Sequence, residues 1–195
     1  MAERAITTDD IMDLDAYLAI RKEKRREMSA VKRDRRVSVG PVATFYFESY
    51  ATMWHQVHEM LAIEKGGAAQ IPDELEAYNP LIPQGRELIA TVMFEIDDPV
   101  RRKTVLGQLG GVEDRMFLEI DGARIRGRAE EDVDRTAADG KASSVQFVHF
   151  DLTDAQAAVF KADGARVSVG IDHEHYGHMA QMPAAAMASL AADLD

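Results

Sequence analysis

Apolar residues at Ile11, Leu14, Tyr17 and Leu18 recur at helical spacing behind Thr8-Asp9-Asp10, which reads as an N-cap. The same helix, or a second one following it, carries the charged residues 19–34, so residues 1–36 form a helical N-terminal segment. From Arg36 the period changes to two, and Gly40-Pro41 interrupts it as a turn, which predicts a hairpin of two strands ending near Phe47. Residues 48–65 return to helical spacing and stop at Gly66-Gly67. Pro72 then sits in the first turn of a short helix to Tyr78. The following Asn79-Pro80-Leu81-Ile82-Pro83 is expected to be extended, because each proline disfavours α conformation in its predecessor.

Residues 87–96, rich in β-branched and aromatic side chains, predict a buried strand. Asp97-Asp98-Pro99 caps a helix to residue 109, and residues 116–120 and 123–128 form a hairpin across Asp121-Gly122. Residues 130–143 are polar and patternless, and are expected to be a mobile surface loop. A strand over 144–152, a helix capped by Thr153-Asp154 and a last strand over 166–171 follow. Pro183 opens a terminal helix with Met187, Leu190 and Leu194 on one face. About seven strands and six helices that do not strictly alternate imply α+β: one domain over residues 1–195, with a largely antiparallel or mixed sheet flanked by helices.

Composition narrows the function classes. The chain has no cysteine, which excludes disulfides, Fe–S ligation by the chain itself, thiolate zinc sites and cysteine nucleophiles. No window approaches the ~18 apolar residues that span a bilayer. The first ten residues lack an apolar stretch and turn acidic early, unlike a signal peptide, so cytoplasmic residence is expected. Net charge is −11, yet residues 21–36 hold nine basic side chains against three acidic ones. Most of the surface therefore repels nucleic acid and anionic membranes. The basic strip is a charged exposed helix, with Arg25, Arg26, Arg33, Arg35 and Arg36 as an anion or partner surface. RNA binding through it is disfavoured, because no aromatic residues are interleaved. Gly107-Gln108-Leu109-Gly110-Gly111 ends a helix and is no P-loop, and no Gly-x-Ser-x-Gly elbow occurs.

Five of the six histidines fall in two stretches, Trp54-His55-Gln56-Val57-His58-Glu59 and Asp172-His173-Glu174-His175-Tyr176-Gly177-His178. In the first, Tyr50, Met53, Trp54, Val57, Met60 and Leu61 form an apolar stripe at 100° per residue, with His55 and Glu59 opposite and expected to face water. The order of His and Glu is not that of a zinc protease. Glu64 falls on the apolar stripe, where a carboxylate needs a partner unless it emerges beside Gly66. In the second stretch, extended geometry would turn His173 and His175 to one face, and His178 or a distant carboxylate would complete a site for a transition metal such as Fe, Zn or Mn. A solvated histidine-rich turn is the plainer reading of the same residues.

Several motifs occur together. Gln56-x-x-Glu59-Met60-Leu61-x-x-Glu64 precedes Asn79-Pro80-Leu81-Ile82-Pro83 and Gly85-Arg86-Glu87-Leu88-x-Ala90-Thr91. Lys32-Arg33-x-Arg35-Arg36-Val37-x-Val39-Gly40 lies upstream; Ser144-Val145-Gln146-Phe147-Val148-x-Phe150 and Asp172-His173-x-x-Tyr176 lie downstream. As a set they resemble the bacterial domain-of-unknown-function family numbered 3501, in matching order over nearly the whole chain. Where that family has a basic then an aromatic residue before Gln56, this chain has Trp54-His55, and His58 lies outside the family pattern. The resemblance implies no established activity. It directs attention to a candidate pocket of Gln56, Glu59, Glu64, Tyr78, Asn79, His173 and Tyr176. It also implies an accessory role beside rubrerythrin-like or Fe–S oxidoreductase proteins, near which members are often encoded. Two function classes follow: a non-catalytic accessory or binding protein of a redox or metalloprotein system, and a metal-binding protein or enzyme that unites Glu59, Asn79 and His173.

Overall fold

The computed structural model describes residues 3–130, 136–137 and 140–195. The middle of the 130–143 loop thus lies largely outside the described residues. Nine strands form two antiparallel sheets, and six α-helices pack around them among the described residues. The α+β reading of the sequence holds, with two sheets in place of one.

The larger sheet has the order β1-β2-β3-β7-β6, from β1 (Arg36–Val39), β2 (Ala43–Phe47), β3 (Glu87–Phe94), β7 (Val145–Asp151) and β6 (Arg128–Ala129). The smaller has the order β5-β4-β8-β9, from β5 (Ala123–Arg126), β4 (Met116–Ile120), β8 (Val167–His173) and β9 (Tyr176–Gln181). Alternation along each strand sends Phe45, Phe47, Leu88, Val92 and Phe150 to a core shared with Leu118, Val169 and Ile171 of the smaller sheet. Ile89 and Phe147 point the other way, onto α2 (Tyr50–Glu64), where Met53, Val57 and Leu61 meet them. β3 is therefore buried on both faces, which is why its sequence reads as a continuous apolar run.

The predicted strand over 123–128 is two strands. Gly127 breaks it: β5 pairs with β4, and β6 crosses to pair with β7 in the other sheet. A side chain at Gly127 would stand 2.4 Å from Val148 Cγ2, so only glycine lets the chain pass here. The last predicted strand extends to His173 and turns at Glu174-His175 into β9, an exposed strand that its polar sequence did not announce. The phenol of Tyr176 on β9 joins the sheets: it accepts from Val42 N (3.0 Å) and Ala43 N (2.9 Å) and donates to Val39 O (2.7 Å). Gly40, at φ +69°, leaves room for that ring and for His178.

Helix α1 runs over Leu14–Arg33, capped by Asp13 and not by Thr8–Asp10, which instead form a short 3-10 turn. Helix α2 is capped by Ser49 and ends with Lys65 in the left-handed region, one residue before the expected glycines. Helix α3 (Ile71–Tyr78) leads into Asn79–Leu81, which is a 3-10 turn and not extended chain. The cause is the Asn79 side chain, which accepts from Ile6 N at 2.8 Å and donates to Ile6 O at 2.9 Å, holding the turn against the N-terminal arm. Helices α4 (Pro99–Gly107), α5 (Asp154–Phe160) and α6 (Ala184–Ala191) keep their predicted caps or opening proline, with Asp98 and Thr153 accepting from the first turn.

Candidate functional site

The polar face of α2 does not meet water. The chain before α1 crosses it and α1 lies along it, so His55 and His58 are 8% and 2% exposed and the Glu59 side chain 13%. The expectation that His55 and Glu59 are solvated is corrected for that reason: a helix with apolar residues on one side can still carry a second helix on the other. Trp54 Nε1 donates to Asp10 O at 2.9 Å, and Met12 N donates to His58 Nε2 at 3.0 Å. His58 Nδ1 lies 2.7 Å from Trp54 O, so its proton is on Nδ1 and the ring is neutral. Burial lowers the pKa of His58, in keeping with that state.

Beside it lies a line of four polar side chains. Arg21 grips Glu59 with two parallel bonds of 2.8 and 2.9 Å. Tyr17, the one buried residue of α1, donates to Glu59 Oε1 at 2.9 Å. Its oxygen also lies 3.3 Å from His55 Nδ1. The Arg21 bonds, with help from Tyr17, hold the Glu59 carboxyl down at about 2 against the opposing effect of burial. Burial, then the Glu59 carboxylate, pushes the Tyr17 phenol well above its ordinary range. Its only proton being given to Glu59, Tyr17 can receive a bond only from His55 Nδ1–H, so His55 carries its lone pair on Nε2. Burial lowers the His55 pKa, reinforced by Lys32 and Arg25 and opposed by Glu59.

The other candidate residues are dispersed. Gln56 lies beside the Tyr78 phenol, whose pKa is raised chiefly by burial. Glu64 is exposed and accepts from Gln70 Nε2 at 2.9 Å, so it emerges at the helix end. Asn79 is committed to Ile6, and Tyr176 to the turn between β1 and β2. His173 Nε2 lies 3.2 Å from Gly110 O at the far end of β8. Glu59, Asn79 and His173 thus have separate partners on separate elements. His173 and His175 have ring centroids 5.8 Å apart, while His178 packs on Tyr176, because the tight turn at 174–175 breaks the extended geometry. Among the described residues no three His, Asp or Glu side chains come together as metal ligands.

Of the arginines, Arg25, Arg26, Arg33 and Arg36 are exposed as expected. Arg35 is not: it is 4% exposed, donating to Phe47 O, Glu48 O and Ser189 and paired with Asp193. It leaves the proposed surface because the helix has ended at Arg33 and the chain turns inward toward β1. Sequence reasoning missed Tyr17 and Arg21, four residues apart on one face of α1, and the buried Glu48 carboxylate held by Thr52 and Thr91 hydroxyls at 2.6 Å.

The sequence pattern of a family described as a protein of unknown function (DUF3501) matches residues 5–194. The chain belongs to that family. A crystal structure of a novel protein of unknown function from Burkholderia pseudomallei K96243 is similar to it at 40% identity and a TM-score of 0.90. The likeness covers 98% of this chain and 100% of that one, so the two chains share one fold over nearly their whole length. None of the curated proteins matches. No helix among the described residues is long and apolar enough to cross a membrane.

Proposed function

We propose that this DUF3501 protein is a non-catalytic accessory protein of the cytoplasm that docks through α1 on an acidic surface of a redox or metalloprotein partner. One observation carries the reading. At 100° per residue, Leu18, Arg21, Lys22, Arg25, Lys32 and Arg33 share a flank of α1 about 120° wide, while Glu23 and Glu27 project from the opposite side. Arg26 and Lys24 pair with those glutamates, at 4.0 and 3.0 Å, while on the flank Arg21 and Arg25 share Glu59 and Arg33 lies 3.8 Å from Asp34, so the five cations there meet two acids and keep a positive excess. Leu18, 42% exposed, supplies an apolar centre to the cationic flank. Such a surface complements a carboxylate-rich partner and steers its approach. Glu59 and Tyr17 are driven away from neutrality in opposite directions, whereas general acid–base catalysis requires groups tuned toward the working pH. The redox character of the partner is what the family resemblance implies, and the choice of a rubrerythrin-like or Fe–S oxidoreductase protein rests on that resemblance.

The test is a crosslinked pull-down from the native host with the full chain and with a Lys22→Glu, Arg25→Glu, Lys32→Glu variant. The expected result is recovery of a rubrerythrin-like or Fe–S protein by the native chain and at least tenfold less by the variant. Recovery of nucleic acid, of no redox protein, or of equal amounts with both chains overturns docking through α1.

A further inference from the structure

Between Ile6 and helix α1 the chain crosses α2 as a strap, residues 7–12, and both ends of the strap are fixed. Ile6, 2% exposed, is held by two bonds with the Asn79 side chain, and Asp13 caps α1 by accepting from Asp15 N and Ala16 N. In between, the strap meets a row of α2 side chains four residues apart. Tyr50 faces the Asp10 carboxylate, Trp54 Nε1 donates to Asp10 O, and His58 Nε2 accepts from Met12 N. Of these contacts only the last involves a group that titrates near neutral pH.

His58 holds Met12 only as the neutral ring, with its single proton on Nδ1 toward Trp54 O. A second proton, on Nε2, would set two N–H donors against each other at 3.0 Å, where a ring 2% exposed has no water to turn to. The titratable groups around it are Asp10 and Asp13 of the strap, Tyr17 of α1, and His55 and Glu59 of α2; α3 meets the same space through Ile71. Both imidazole nitrogens are taken by backbone groups, and Glu59 is engaged by Arg21 and Tyr17, so no carboxylate stabilises an imidazolium beneath the closed strap.

We propose that residues 7–12 are a proton-released strap: neutral His58 latches them to α2, and protonation of His58 frees them while both sheets stay folded. The slack is built in. Thr8–Asp10 is a 3-10 turn, rising about 2.0 Å per residue, and it lengthens toward about 3.3 Å per residue without moving either anchor. Ile11 packs on the small cluster around Met53 and Val57, separate from the core between the sheets. The strap also walls a cavity of about 330 Å³ against Leu61, Ala68 and Ile71, so its release opens that cavity. Once the strap is open, His58 takes its proton near its ordinary 6.5, and the open fraction rises about tenfold per pH unit below that value.

Hydrogen exchange followed by NMR on the full chain from pH 7.5 to pH 5, corrected for the intrinsic pH dependence of exchange, tests this. Protection of the Met12 amide and of the indole N–H of Trp54, the only tryptophan, should fall about tenfold per pH unit below pH 6.5. Both should stay at least tenfold less protected than the amides of β3. In His58→Gln the side-chain oxygen accepts from Met12 N at every pH, so the fall should vanish. Met12 protection independent of pH, an equal slope in His58→Gln, or loss of Met12 and β3 protection at one common rate overturns the strap. If His58→Gln fails to fold, the comparison of Met12 with β3 in the native chain decides alone.

Discussion

Three donor atoms converge on Glu59, from Tyr17 and from both arms of the Arg21 fork, and this arrangement has a pH signature. A carboxyl lowered from 4.5 to about 2 contributes stability that is complete above pH 4.5 and disappears as pH falls toward 2. His55 and His58 act earlier. Both are lowered from 6.5, so they favour the fold fully above that pH, and their contribution is lost as pH falls toward the lowered values. The groups around them are Glu59, Lys32, Arg25, His58 and Tyr17 for His55, and Met12, Trp54, Tyr17 and His55 for His58. Urea midpoints measured from pH 8 to pH 3 should therefore begin to fall near pH 6.5, and fall again below pH 4.5. In Glu59→Gln the second fall should shrink, and stability at pH 7 should drop by roughly 1–2 kcal/mol, because the charge-assisted bonds from Arg21 are lost while its partly exposed guanidinium regains water. A midpoint constant from pH 8 to pH 5 would show that the buried imidazoles carry no linkage. At this scale the histidines and Glu59 were visible in the sequence as an unusual cluster. Their pairing was not, since Tyr17 lies 42 residues from Glu59 and looked like one more apolar helical position.

Among elements, those with strong periodicity or defined caps were legible: α2, β3, the hairpin of β1 and β2, and the helices opening at Asp98, Thr153 and Pro183. The departures each have a local cause. Asn79–Leu81 is helical because a side-chain pair with Ile6 offsets the conformational bias imposed by Pro80. β9 is a strand because β8 offers it a ladder of six pairs, not because Tyr176-Gly177-His178-Met179-Ala180-Gln181 favours one. The break between β5 and β6 depends on a single hydrogen atom. Gly127→Ala should lower stability by about 1–3 kcal/mol, since the new methyl meets the buried Val148 and Phe150. The control is Gly107→Ala, whose added methyl meets nothing and whose backbone is not in the left-handed region. Equal urea midpoints for the two variants would mean that the crossing at Gly127 tolerates a side chain.

For the whole molecule, the N-terminal layer, the two sheets and the C-terminal helix are joined by polar contacts between residues distant in sequence. Arg35 reaches Ser189 and Asp193 near the end of α6 while holding the backbone at Phe47 and Glu48. Arg35→Ala should cost about 3–5 kcal/mol, because it leaves Asp193 and two carbonyls buried without a donor. Arg36→Ala, one residue on and exposed, should stay within about 0.5 kcal/mol of the native chain. Similar losses at both positions in thermal or urea unfolding would refute the clamp. By itself the sequence determined the class of fold, most elements and their caps, the absence of thiol chemistry and the basic character of α1. Those depend on residues a few positions apart, where periodicity, turn residues and charge spacing act directly. Only the tertiary structure decided that the polar face of α2 is covered, that Arg35 is internal while its neighbours are not, and that Glu59, Asn79 and His173 serve separate partners. Each of these depends on which distant segment lies across a given face, and no local pattern encodes that.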